Sequence, residues 1–323
     1  MSRANARVAV AVCTRQRPRM LGELITSLMA LDVPQGTELQ FIFVENDASL
    51  TIEPMVRDFA ARTGWFARAV HMPDLGIAHA RNAALDAAEA GDAEWLAFVD
   101  DDEQVRHDWL RILYSGVREA EAQMAGGPLR PVAPHTGCSD SEADVLEYYV
   151  QAAALSDARK EAAARDGKRF DLATNNWIAD LHALRMAKLR FDPAFNTSGG
   201  EDTDLSRRAY ASGLRLAWVP GAIVTEEVPP ERLTATYVFE RARHQSITKL
   251  DLMRADAPGG LGRARALAQV VSKGVAGALR VALSPALGRY SYFRGWRSLG
   301  IASGFWAGLR GQTQSQYSHV TGD

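Results

Sequence analysis

The chain has 323 residues, 47% hydrophobic and 24% charged, which excludes a largely disordered protein and leaves room for one large α/β domain or two smaller ones. Two cysteines, Cys13 and Cys138, are too few for a disulfide framework and lack a CxxC metal spacing, so a reducing cytoplasm is expected. The net charge of −2 conceals a polarity: from Arg232 to Arg310 there are 13 Lys and Arg against three acidic residues, so that segment carries +10 and the remainder −12.

The N-terminal "MSRANARVAVAVCTRQRP" holds an apolar run of six residues before Thr14, too short for a secretory signal, and no export is expected. "RVAVAVC" reads as a buried strand ending at Thr14-Arg15. Leu21, Leu24, Ile25, Leu28 and Leu31 then recur at helical spacing. "LQFIFVEND" predicts a second strand, Pro54 to Arg62 a helix, and "FARAVH" a short extended run. "GIAHARNAALDAAEAG" is an Ala-rich helix entered and closed by glycine, and "EWLAFV" is the fourth apolar run. Strands alternating with helices predict an α/β fold with a mainly parallel sheet.

Ligands of open α/β sheets bind outside the carboxyl ends of the strands. Thr14-Arg15, Glu45-Asn46-Asp47 and Asp100-Asp101-Asp102 each follow a strand-like run, so all three clusters are expected at one sheet edge. Carboxylates packed there repel one another unless a cation neutralises them, which suits Mg²⁺ or Mn²⁺ shared with a phosphate-bearing substrate. The alternative for "DDDE" is a cap for the helix beginning near Trp109.

Taken in order, "CTRQRP", "VENDAS", "GIAHARNAAL", "FVDDDE", "GGPLRP", "TNNWIA", "GGEDTDLSRRA" and "EEVPPERLT" resemble the family 2 glycosyltransferases of the GT-A fold over about residues 8 to 235. The resemblance implies a Rossmann-like catalytic domain at residues 1–235 that uses a nucleoside-diphosphate sugar, followed by a basic helical region at 236–323. Asp100-Asp101-Asp102 matches the family's DxD motif, with Asp100 and Asp101 on the donor side and Asp102, with Asp100, toward a metal. Thr14, Arg15, Glu45 and Asn46 would border the nucleobase; the family often has Asp where this chain has Asn46, which leaves the base open. Arg81 matches a basic residue near the nucleotide, where its guanidinium can neutralise phosphate or fix the aspartates.

On the acceptor side, Glu201 and Asp202 resemble the "ED" pair of inverting members, with Asp202 as the base and Glu201 as the next candidate. Asn175, Asn176 and Trp177 offer amides and a ring face to a sugar, or else form a polar turn with a half-buried Trp. Many members place a metal-binding His where this chain has Thr225, Glu226 and Glu227, so either Glu is a candidate oxygen ligand.

In the basic tail, Leu267, Val271, Val275 and Leu279 recur every fourth residue among arginines, and Pro285 with several glycines divides the segment into two or more helices. The uncharged run from Ser298 to Leu309 is 12 residues, too short to span a bilayer. Trp296, Tyr290, Phe293 and Trp306 suggest lying on an anionic membrane; packing on the catalytic domain, or a homodimer interface, is the alternative. The reading is an inverting, metal-dependent enzyme, peripheral on the inner face of the cytoplasmic membrane. It would act on a lipid-linked glycan or glycolipid in envelope polysaccharide assembly, with no nucleic-acid partner. A sugar-nucleotide nucleotidyltransferase and a catalytically silent sugar-binding or scaffolding protein are the rivals.

Overall fold

The computed structural model describes residues 5–196, 198–256 and 260–312. The chain opens with β1 (Ala6–Thr14), α1 (Pro18–Leu28), β2 (Thr37–Glu45), α2 (Glu53–Thr63), β3 (Phe66–His71), α3 (Ile77–Ala90) and β4 (Trp95–Val99). Proline in the first turn starts α1, and Gly64 in the left-handed region closes α2. The four strands run parallel in the order β3-β2-β1-β4, with Val10 level with Phe41 and Ala97.

The next elements are β5 (Glu103–Val105), α4 (Trp109–Glu119), β6 (Met124–Gly126), β7 (Leu129–Val132) and α5 (Asp140–Arg165). After them come β8 (Asn176–Asp180), α6 (Leu181–Met186), α7 (Glu201–Ala211), β9 (Leu216–Trp218) and β10 (Val224–Glu227). β8, β6 and β9 complete a seven-stranded sheet in which β8 runs antiparallel to both neighbours, so the sheet is mostly parallel. β5, β10 and β7 form a separate small sheet beside the carboxyl end of β4.

Strand periodicity divides the core into two layers. Val8, Val10, Val12, Phe41 and Phe43 face α1, α2 and α4, whereas Ala9, Ala11, Ile42 and Val44 face α3, α6 and α7. The inner strands are apolar on both faces because helices cover both.

The C-terminal region consists of α8 (Ala235–Asp256), α9 (Gly260–Ala282), α10 (Ser284–Leu287) and α11 (Arg289–Leu309). Glycines let α11 press against the backbones of both α8 and α9. A Cβ at Gly300 would lie 2.2 Å from the Phe239 carbonyl oxygen, and one at Gly304 2.2 Å from that of Arg243. The start of α11 also docks on α5, through Tyr290 and Phe293 against Tyr148 and an ion pair between Arg289 and Asp144. This corrects the expectation of an interfacial aromatic set. Phe293 is buried, Tyr290 is part of the packing, Trp296 meets Phe239 edge-on, and Trp306 alone of the four is exposed. Among the described residues no helix is long and apolar enough to cross a membrane.

Because the atoms opposing Gly300 and Gly304 are backbone, they cannot rotate away. Gly300→Ala and Gly304→Ala are each expected to lower unfolding stability by about 1–3 kcal/mol. Gly308→Ala, which meets only the Leu250 side chain, should cost less. Urea denaturation of the three variants tests this ranking.

Candidate active site

One cavity of about 860 Å³ gathers residues from both halves of the catalytic fold and from α8. Its acidic end is built at the turn after β4. The Glu103 carboxylate accepts the Asp100 amide at 3.0 Å and closes the turn, and Asn175 Nδ2 donates to the other Glu103 oxygen at 2.7 Å. Asp101 points away from the cavity, accepting from the Thr14 hydroxyl at 2.7 Å and Arg17 at 2.8 Å. Arg17 also reaches Asp102 at 3.2 Å, leaving Asp100 and Asp102 on the cavity wall. The acidic run does not cap α4, whose N-cap is Asp108.

Burial dominates the electrostatics of this turn. It pushes the Asp100 carboxyl up to about 7, with Asp102, Asp101 and Glu226 adding to the rise and Arg81 opposing it. Burial likewise raises Glu103, reinforced by Asp100 and Asp102, and raises Glu226, reinforced by Asp102. Arg17, Arg81 and Arg232 offset part of this negative charge, and the carboxyls that face the cavity remain an electrostatic host for a cation.

Arg81, 5% exposed, stands on α3 between the acidic turn and α7. Its guanidinium is paired with Glu201, lies 3.6 Å from Asp100, and has the Phe191 ring 5.8 Å away. Glu201 is 2% exposed; one of its carboxylate oxygens pairs with Arg81, while the other is buried without a hydrogen-bond partner, and the residue lines the cavity. Asp202, the next residue, is half-buried on the cavity wall and accepts the Thr203 amide at 2.6 Å.

At the end of β2, the Glu45 carboxylate accepts from Thr51 through both its amide and hydroxyl and from the Ile52 amide. Asn46 donates to the Met72 and Asp74 carbonyls and accepts the Gly76 amide, bracing the loop before α3. These polar atoms are spent inside the protein, and neither residue lines the cavity, nor do Thr14 and Arg15. Arg15 is half-buried at the same edge.

Of the three residues expected to face an acceptor, Asn175 lines the cavity. Asn176 and Trp177 do not, and this is a correction. Asn176 is buried between the Trp109 indole and the Pro128 and Ala222 carbonyls, and Trp177 is 1% exposed against Phe98 and Phe191. The two metal candidates on β10 also separate. Glu226 lines the cavity and pairs with Arg232 at 3.0 Å, while Glu227 turns to His135 at 2.8 Å, which removes it as a metal ligand. Adjacent strand residues face opposite sides.

Sequence reasoning missed several residues. Arg17 belongs to the quoted "CTRQRP" and could have been weighed with Thr14. Lys160, 4.4 Å over the Trp218 ring, Arg169 and Asp171 carry no local signal. α8, expected to stand apart from the site, contributes Arg241, Gln245, Thr248 and Lys249 to the cavity wall.

Asp100, Asp102 and Glu226 supply oxygen atoms of the type that Mg²⁺ and Mn²⁺ prefer. Among the described residues no group of three or more His, Cys, Asp or Glu is assembled to hold an ion alone.

Removing one partner of a buried pair weakens the hold on the other charge, so Glu201→Ala should lose about 3 kcal/mol of stability, the low end for such pairs because Arg81 keeps Asp100 nearby. The double variant Arg81→Met with Glu201→Leu should recover much of that loss in chemical denaturation.

The family profile described as Glycosyltransferase like family 2 matches residues 5–246. The succinoglycan biosynthesis protein ExoM of Rhizobium meliloti (strain 1021) is 30% identical over 256 residues, covering 78% of this chain and 77% of ExoM. Among solved structures, the mannosyltransferase PcManGT from Pyrobaculum calidifontis, in complex with GDP-Man and Mn²⁺, superposes with a TM-score of 0.62 at 19% identity, over 94% of this chain and 87% of that one. S. aureus TarS 1–349, in complex with UDP-GlcNAc, gives 0.50 at 18% identity over 95% and 92%, whereas a longer TarS chain is spanned over 55% of its length. With the profile covering most of the chain and the likeness to ExoM extending past it, the chain belongs to the glycosyltransferase-like family 2.

Proposed function

We propose that the protein is an inverting, metal-dependent glycosyltransferase that moves a sugar from a nucleoside diphosphate to a hydroxyl of a lipid-linked glycan or glycolipid at the inner face of the cytoplasmic membrane. The observation that carries the reading is that Asp100, Asp102 and Asp202 face the same cavity from different elements. One acidic end suits a metal and diphosphate, and a separate carboxylate suits an attacking hydroxyl.

Asp202 would take the hydroxyl proton as the acceptor oxygen forms its bond to the anomeric carbon. The bond from that carbon to the diphosphate oxygen breaks on the opposite side, which inverts the anomeric configuration. Asp202 need not be strongly basic, because the hydroxyl acidifies as it attacks. Arg81 would hold Asp100 oriented and place positive charge beside the departing phosphates. Asp102 and Asp100, with Glu226 as a third candidate, would hold Mg²⁺ or Mn²⁺, whose role when bound is Lewis-acid neutralisation of the diphosphate. Likeness to ExoM supports a place in envelope polysaccharide assembly, and likeness to structures holding GDP-Man or UDP-GlcNAc supports a sugar-nucleotide donor.

Two substitutions separate binding from chemistry. Asp202→Asn should retain donor affinity while turnover falls by about 10² or more, the scale of a lost general base. Asp102→Asn should instead abolish the metal-dependent part of nucleoside-diphosphate binding. Calorimetric titration of nucleoside diphosphates with Mn²⁺ and with EDTA, alongside donor turnover, reads both. Equal affinity in EDTA removes the metal, and near wild-type turnover in Asp202→Asn removes the assigned base.

A further inference from the structure

We propose that the outward side of α9, continued by α10, is a membrane-contact face that lies on an anionic bilayer. The inference deepens the lipid-linked acceptor reading and rests on it for biological purpose, although binding itself is measurable without turnover.

One side of α9 is packed. Ala266 is buried, and Gly277 sits against Leu299 and the Gly295 carbonyl of α11. On the other side Leu267, Val271, Val275 and Leu279 are 47%, 65%, 57% and 55% exposed, and Leu283 and Leu287 continue the row at 53% and 60%. At 3.6 residues per turn, the four α9 side chains fan over about 120° of the helix and about 18 Å of its length. The other described residues within that arc, Ala264, Ala268, Ala278 and Ala282, are exposed alanines. A surface helix ordinarily turns its polar residues to water, and here the outward arc is wholly apolar.

Charge selects the occupant. Residues 257–312 contain eight Lys and Arg and no Asp or Glu. Arg263 and Arg265 are exposed and stand about 40° beyond the two edges of the arc. A second copy would oppose this basic layer with an identical one, and a nucleic acid would leave the apolar arc unused. An anionic bilayer satisfies both, since apolar side chains enter the interface while arginines meet lipid phosphates. α8, which leads into α9, lines the cavity with Gln245, Thr248 and Lys249, so the layer that would dock also supplies part of the cavity wall.

The test uses the full chain in flotation with vesicles of phosphatidylglycerol and phosphatidylcholine, and with phosphatidylcholine alone. Wild type should float with the anionic vesicles and be partly released at about 0.5 M NaCl. Val271→Asp combined with Val275→Asp should lower partitioning roughly tenfold or more while leaving the circular dichroism spectrum and Mn²⁺-dependent nucleoside-diphosphate binding unchanged. Arg263→Glu with Arg265→Glu should lose the preference for anionic lipid by a similar factor. The proposal is overturned if wild type ignores anionic vesicles, if the double aspartate variant floats like wild type, or if that variant converts a dimer to a monomer in light scattering. Nucleotide binding in the same samples keeps the two readings apart: intact binding without flotation sinks the membrane face alone, and absent binding with flotation sinks the transferase site alone.

Discussion

The cavity depends on one buried ion pair. Arg81 on α3 belongs to the half built of alternating strands and helices, and Glu201 opens α7 in the other half. Both are almost fully withdrawn from water, a cost offset only while each charge keeps its partner. The pair fixes where α7 starts, and so where the following residue, Asp202, meets the cavity. The same guanidinium also opposes the negative charge at Asp100. Arg17 does a parallel service on the outer side, pairing with Asp101 and Asp102. Two arginines from separate elements therefore allow a run of four acidic residues to sit at the end of a strand.

How much of this was legible in the sequence depended on the length and regularity of each element. β1, β2 and β4, with α1 and α3 between them, were visible as apolar runs and helical periodicity, and their ends placed Thr14, Arg81 and the Asp100–Asp102 turn at one edge. The assignment at Glu226-Glu227 turned on strand parity, and the one at Asn176-Trp177 on a strand covered on both faces. In a strand, neighbouring side chains point to opposite faces, and a polar pair in a short segment does not say which member faces inward. The sheet register buries Trp177 and Asn176, and β10 turns Glu226 in and Glu227 out.

The tail misled in a different way. Its aromatic residues drew attention to α11, yet Gly300, Gly304 and Gly308, four residues apart, were the signal for a helix packed backbone to backbone. α9 showed its spacing of apolar residues openly, but whether that row faced the core or water could not be read from a single helix. Arg241, Gln245, Thr248 and Lys249 gave no warning at all, because a cavity wall formed by a distant helix is a property of tertiary packing.

That wall has a consequence for how the proposed acceptor pocket could be changed. α8 shows the cavity one face, at positions 241, 245, 248 and 249, while its opposite side is clamped to α11 through the carbonyls of Phe239 and Arg243. The clamp fixes the helix axis, whereas the cavity-facing side chains project from it at successive turns. Diversity at 245, 248 and 249 can therefore alter the size and charge of this end of the cavity without repacking the sheet, whereas Arg241, whose charge acts on Glu226 and Asp102, is tied to the carboxylates after β4. With the acceptor proposed to lie against this face, libraries confined to those three positions would vary its pocket and leave the acidic turn alone, much as a lock is rekeyed by changing its pins inside an unchanged barrel.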